Sequence, residues 1–225
     1  MPTLNVRQYK HSDFPAVKKL FIEGCHEHAY STFYHALRQP HNWLLMILGF
    51  LLPLVTVGSI LLAILDVVVV LVVLWLCGRK FFYDIVTNCL AADLRDIPKY
   101  YLQREGYNYW VMESDGEFVG MVAALPSYLP GEKGEKNTEL KRMFVVKSHR
   151  GKGIAKILCR TVIEFARKKG CKAVILSTTT VQTSATHLYR SVGFRCTHTS
   201  YMTGFTERLV KLQWIYFRYD IPNSK

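Results

Sequence analysis

Arg150-Gly151-Lys152-Gly153-Ile154-Ala155 is the stretch whose reading decides the fold. It follows Leu140 to Val146, a run that reads as a strand, and it opens a helical pattern over Ile154 to Lys169. Ile157, Leu158, Val162 and Phe165 give that helix an apolar face, and Gly170 ends it. The two glycines of the turn let the backbone come close to a ligand. The unpaired N–H groups of a helix start, with the helix dipole behind them, favour an anion. Arg150, Lys152 and Lys156 add positive charge. The turn lacks the Gly-Lys-Ser/Thr ending of a P-loop and the third glycine of a dinucleotide fingerprint, so it reads as a pyrophosphate cradle of another kind.

Outward from the turn, periods of two and of 3.6 residues alternate. Leu4 to Tyr9 alternates as a strand, and Phe14, Val17, Leu20 and Phe21 follow at helical spacing behind the cap signal Ser12-Asp13. Tyr83 to Glu105 reads as helix interrupted by Pro98. Tyr109 to Glu113 and Phe118 to Leu125 form strands around the hairpin signal Ser114-Asp115-Gly116. Ala173 to Leu176 reads as a buried strand, and Thr183 to Ser191 as a helix stopped by Gly193. Phe194–Thr203 and Arg208–Tyr219 read as two closing strands. The order β-α-(insertion)-α-β-β-β-α-β-α-β-β predicts a mixed α/β (α+β) fold with helices on both faces of one sheet.

The insertion is the 35 residues from Trp43 to Cys77, with Asp66 as their single charge. As one helix it would measure about 52 Å, far more than the ~30 Å hydrocarbon core of a bilayer. Pro53 and Gly58-Ser59 are breakers near its middle, so it reads as a hairpin of two helices, each about 22–27 Å long. Two full spans and a shallow re-entrant hairpin both satisfy these lengths. If the segments on either side belong to one domain, the number of crossings is even. Arg38 before it and Arg79-Lys80 after it favour the cytosolic side for both flanks. Asp66 reads as a charge tolerated in the hairpin, protonated, paired or near a polar tip.

Composition limits the partners. The chain has 225 residues, is 50% hydrophobic and carries 29 Lys+Arg against 17 Asp+Glu, for a formal charge of +12. A basic surface attracts phosphate-bearing cofactors, nucleic acid or anionic lipid. No nucleic-acid motif accompanies the charge, so a polyanionic cofactor plus a membrane surface is the expectation and nucleic acid is not. Six scattered cysteines with no Cys-x-x-Cys pair argue against a zinc ribbon or a disulfide scaffold. In Cys25-His26-Glu27-His28 the two histidines point to different sides of a helix, so the group reads as a polar helix end and no metal site is expected.

About thirty residues after the glycine turn comes Ala185-Thr186-His187-Leu188-Tyr189-Arg190-Ser191-Val192-Gly193-Phe194. The strand–Arg-x-x-Gly-x-Ala–helix arrangement and this Ala-x-x-Leu-Tyr-x-x-x-Gly-Phe pattern, in that order, resemble the two coenzyme-A motifs of the GNAT (Gcn5-related N-acetyltransferase) superfamily. The resemblance covers nearly the whole chain outside 38–80. The insertion and the ending Phe217 to Lys225 resemble the camello-like N-acetyltransferases, relatives of cysteine-S-conjugate and aspartate N-acetyltransferases of the endoplasmic reticulum. The implied fold is the acyl-CoA N-acyltransferase fold: a twisted mixed sheet flanked by helices, with a membrane hairpin inserted between the first two helices. Residues 1–37 then supply the first strand and helix, 38–80 the hairpin, and 81–225 the rest of the domain.

The implied activity is acetyl transfer from acetyl-CoA to the amine of a small amino acid or cysteine S-conjugate. The family also admits acetylation of protein lysines or N-termini in the secretory pathway, and a silent membrane scaffold is the non-enzymatic alternative. An endoplasmic-reticulum or Golgi membrane, with the domain in the cytosol, is the implied location. By the same resemblance Tyr189 is the acid that protonates the leaving thiolate, its alternative being a core tyrosine. Glu139 is the position for the base, direct or through water, its alternative being a solvated charge beside Lys141 and Arg142. Backbone N–H groups of Met143, Phe144 and Val145 would hold the thioester carbonyl and the pantetheine arm. Arg150, Gly151, Lys152, Gly153, Ile154 and Ala155 would hold the pyrophosphate. Gln182 stands where many relatives carry Asn at the cofactor. His149 and His187 are weaker candidates for the base. The acceptor pocket is expected from the 126–137 loop, the edge of the insertion and the 200–208 turn.

Overall fold

Strand periodicity and turn chemistry combine into one seven-stranded sheet in the computed structural model, which describes residues 3–127 and 136–222. The strands are β1 (Leu4–Gln8), β2 (Asn108–Ser114), β3 (Glu117–Pro126), β4 (Asn137–Val145), β5 (Ala173–Thr179), β6 (Arg195–Tyr201) and β7 (Gln213–Asp220), in the order β1-β2-β3-β4-β5-β7-β6. All neighbours are antiparallel except β4 and β5. The β2–β3 turn has Asp115 and Gly116 at φ 52° and 84°, the mirror-image turn whose twist suits a hairpin.

The helices are α1 (Phe14–Leu37), α2 (Pro40–Val57), α3 (Ile60–Ala91), α4 (Ile154–Lys168), α5 (Thr183–Val192) and α6 (Phe205–Val210). One face of the sheet is covered by α1 and the second half of α3, over a core that includes Phe21, Phe82, Leu94, Tyr101 and Tyr109. The other is covered by α4 and α5, over Leu158, Val162, Leu176 and Phe217. The mixed sheet with helices on both faces is the architecture that the element order predicts.

Four details differ from the sequence reading. Pro53, read as a breaker, stays inside α2; the break falls at Gly58-Ser59, as read, between Val57 and Ile60, where Gly58 takes φ 71° and the Ser59 hydroxyl accepts the Leu62 N–H. One proline removes one helical bond, whereas a left-handed glycine ends the helix. The helix after the insertion is not a separate element: α3 runs unbroken through Arg79-Lys80 to Ala91, and a turn and a short π-helix at Pro98–Leu102 replace the expected continuation to Glu105. Residues 205–210 form α6, so the last strand starts at Gln213 rather than Arg208. Finally, Cys25 to His28 lie in the middle of α1, with His26 exposed and His28 against Phe82.

Two contacts fix α1. Gly78 of α3 lets Thr32 and Ala29 of α1 approach, since a Cβ there would lie 3.0 Å from the Thr32 side chain. Gly24 faces the Phe144 ring of β4, which meets Phe21 edge-on at 5.6 Å. A Cβ on Gly24 would sit 2.3 Å from that ring, so Gly24→Val forces the helix off the strand. Overpacking of this kind costs about 1–3 kcal/mol. Urea titration of the variant is expected to show a midpoint lowered accordingly.

Candidate active site

The sheet parts in its middle. β4 and β5 pair only at Asn137↔Ala173, Thr138↔Val174 and Glu139↔Ile175. Beyond these, β4 stays with β3 as far as Val145, and β5 stays with β7 as far as Thr179. The result is a wedge-shaped cleft between residues 140–145 and 176–179. Its inner edges carry strand N–H and C=O groups that no ladder pairs, and such groups call for a ligand or water.

A bulge shapes the β4 side. Met121 faces Phe144 and Ala123 faces Lys141, so one extra residue is accommodated around Arg142, which takes φ 53°. A left-handed conformation costs a residue with a Cβ about 1–2 kcal/mol, so something else must hold it. The Arg142 guanidinium forms a two-pronged pair with Asp93 at 2.8 and 2.9 Å, Asp93 also accepts from the buried Tyr101 hydroxyl, and the Phe21 ring lies 5.5 Å away. Both side chains are largely buried, and the Asp93 carboxylate outweighs the cost of burial in holding the Arg142 guanidinium charged.

Glu139 sits at the apex where the strands part. It is buried, with 2% of its side chain exposed, and its carboxylate lies 3.3 Å from the Lys141 ammonium. The solvated-charge alternative is therefore excluded. Burial raises its pKa, while Lys141 and then Arg142 oppose the rise. Tyr189, on α5, is buried between Phe194 and Phe217. Burial pushes its phenol pKa up, so the hydroxyl holds its proton. Next to it is Cys159 of α4, whose thiol reaches Met143 Sδ at 3.5 Å. Tyr189 thus belongs to the same side-chain cluster as the β4 edge. Met143 and Val145 face that cluster, and Phe144 faces α1.

The glycine turn stands at the end of β4. Gly151 and Gly153 take φ 79° and 81° with open space where a Cβ would be, so their conformation, not packing, demands glycine. The first α4 N–H groups to find a carbonyl are those of Lys156 and Ile157, both on Gly153. Those of Ile154 and Ala155 point out of the helix start, as an anion site requires. Lys152 and Lys156 are exposed. The Arg150 guanidinium, by contrast, turns toward α1: it donates to Glu27 Oε2 at 2.7 Å and to the Val145 carbonyl at 3.1 Å. Both side chains line a cavity of about 520 Å³, together with Leu20, Glu23, Lys147 and Ser148.

Other expected residues are placed less directly. Gln182 Oε1 accepts from the Thr178 hydroxyl and the Thr179 N–H, and its NH₂ takes no part in these two bonds. The buried Thr179 hydroxyl beside it has no hydrogen-bond partner. His187 is exposed on α5, and His149 lies in the short turn after β4. Residues 128–135 of the expected acceptor loop lie outside the described residues. The 200–208 region contains α6, which packs on α3 and α1, and its Leu209 carbonyl accepts from His41 and from the buried Asn42 at the start of α2.

Residues 79–194 match the acetyltransferase (GNAT) family. The chain belongs to this family. As a GNAT protein it is similar along its whole length to N-acetyltransferase 8F1 of Rattus norvegicus, at 41% identity over 225 residues and 100% of both chains. It is 40% identical over 225 residues to N-acetyltransferase 8 of Homo sapiens, covering 100% of this chain and 98% of the relative. An acetyltransferase of the GNAT family from Staphylococcus aureus Mu50 shares the fold, with a TM-score of 0.53 at 18% identity over 98% of this chain and 100% of that one. The full-length relatives agree with the camello-like resemblance, and the GNAT chain is an acyltransferase, an N-acetyltransferase by family. Asp93 and Arg142 were not singled out by sequence, and Glu27 entered only as part of the Cys25–His28 group. Arg142 entered only as a neighbour of Glu139, and nothing in the order of residues pairs it with a residue 49 positions away.

The raised pKa of Glu139 has a testable sign. Its ordinary value is 4.5, so ionisation disfavours the folded state and stability falls as pH rises from there through the folded pKa. Relative to wild type, Glu139→Gln is expected to gain stability over that window, measured by urea midpoints at a series of pH values. A constant difference would show an unshifted carboxyl.

Proposed function

We propose that this protein moves the acetyl group of acetyl-CoA to the amine of a small amino acid or cysteine S-conjugate, at a membrane surface. The observation that carries the reading is the parting of β4 from β5 with the glycine turn at its open end. An extended chain bearing amides, such as pantetheine, fits a cleft edged with unpaired strand groups, and its pyrophosphate fits the start of α4. The two glycines at positive φ, the helix-start N–H groups and the unpartnered Thr179 hydroxyl all suit that ligand.

In this reading the N–H groups of Met143, Phe144 and Val145 hold the thioester carbonyl and gain strength as negative charge develops on its oxygen. Glu139, whose carboxyl pKa burial raises against the pull of Lys141, accepts the amine proton directly or through water. Tyr189, kept neutral by burial, donates its proton to the departing thiolate. Lys152, Lys156 and the turn N–H groups hold the phosphates, and Gln182 supports the cofactor through its NH₂ group. Acetyl-CoA-dependent release of free thiol with a panel of amino acids and S-conjugates tests the activity; no release with any amine overturns it. Tyr189→Phe is expected to lower kcat by about 10²–10⁴. An unchanged kcat assigns Tyr189 to packing.

The hairpin of residues 38–80 supports a membrane anchor inside a domain made by 1–37 and 81–225. Both helices have long apolar windows, of mean hydropathy 1.6 and 3.2, with only 17% of each window buried, unlike the core helix of a soluble protein. Exposed Leu51, Leu52, Val55, Ile60, Leu61 and Leu65 cluster around its tip. Asp66 lies across from Gly49, about two turns from that tip. With α1 and the second half of α3 packed together, both chain ends lie on one side, and the basic flanks favour cytosol, at the endoplasmic reticulum. Glycosylation tags at residue 2 and at the C-terminus are expected to behave alike; opposite behaviour defeats this topology.

A further inference from the structure

The buried Asp93–Arg142 pair has no place in the chemistry just described, yet it joins two distant parts of the chain. Asp93 stands in the turn that follows α3, and Arg142 is the left-handed residue of the β4 bulge, three positions beyond the last β4–β5 pair. Only 19% of the Arg142 side chain and 7% of the Asp93 side chain are exposed. A buried ion pair is poor at stabilising a fold compared with apolar residues of the same volume. A two-pronged Arg–carboxylate contact is, however, a strict geometric constraint, because a planar fork meets two oxygens in one orientation. Tyr101 fixes the carboxylate by donating to Oδ2, and Phe21 of α1 bounds the guanidinium. The constraint acts on a backbone conformation that arginine does not favour by itself.

We infer that Asp93 and Arg142 are positioning residues, which hold the β4 bulge and so set the opening of the β4–β5 cleft and the presentation of the Met143, Phe144 and Val145 amides. Without the pair, Arg142 relaxes toward an ordinary strand conformation and β4 straightens along the cleft. The residues touch no reacting atom; their effect passes through the backbone of β4. The kinetic part of this inference rests on acetyl-CoA being the occupant of the cleft. The backbone part does not.

The test uses the full-length protein in detergent and three variants: Asp93→Asn, Arg142→Lys, and the apolar double replacement Asp93→Leu/Arg142→Met. In the ligand-free protein, hydrogen exchange of the amides at 140–145 is expected to rise about tenfold in each variant, with the β2 amides at 108–114 unchanged. KM for acetyl-CoA is expected to rise about tenfold or more, with KM for the acceptor held within about twofold. The double replacement separates positioning from stability: its Tm is expected to return near the wild-type value while KM for acetyl-CoA stays raised. Wild-type exchange and KM in Arg142→Lys, or a KM that recovers together with Tm in the double replacement, would overturn the inference. Should Asp93→Asn fail to fold, those two variants decide. Should wild type show no acetyl-CoA-dependent turnover, the cofactor reading fails, and hydrogen exchange alone decides on the pair.

Discussion

Two parallel strands that begin as partners and then separate are the constraint on which the rest of this molecule depends. A β-sheet normally satisfies its backbone groups in continuous ladders, and a gap in mid-sheet is costly unless both halves are held apart and the gap is used. The two halves are held separately here. β3 and the α1 contacts through Gly24 and Phe144 secure β4, while β7 secures β5 along its length. The glycine turn and the start of α4 stand where the opening is widest. Close to it, burial has raised the pKa of Glu139 and of Tyr189.

The sequence and the structure agree best where local chemistry decides. The glycine turn, the helix after it, the Asp115-Gly116 hairpin and the stop at Gly193 each follow from one or two residues acting on their own backbone. Disagreement arises where packing decides. Nothing local ends a helix at Ala91 rather than at Arg79-Lys80; α3 continues because its second half packs on α1 through Gly78 and Phe82. The short α6 has no strong cap or apolar period and exists against α3.

The site shows the same division. The motifs locate Tyr189 and the glycine turn, since residue types and spacing set their local backbone. Burial of Glu139, capture of Arg150 by Glu27 and the pairing of Arg142 with Asp93 are contacts between residues far apart in sequence. They depend on how the strand order brings β4 against α1 and the end of α3, which no window of residues reveals. The charged residues around β4 look alike in the sequence, yet the fold gives Glu139, Lys141, Arg142 and Arg150 four different surroundings.

The unbroken α3 also governs how the catalytic body can move. At 32 residues it is a rod about 48 Å long, apolar and uncovered at one end and bolted to α1 and α6 at the other. A chain with a flexible joint between anchor and domain would tumble freely about its tether. This one has no joint on that strand of the connection, and α2 is hooked at its start to the Leu209 carbonyl. The cleft therefore keeps a fixed compass bearing relative to whatever surface receives the apolar end, and molecules reach it from a constant direction.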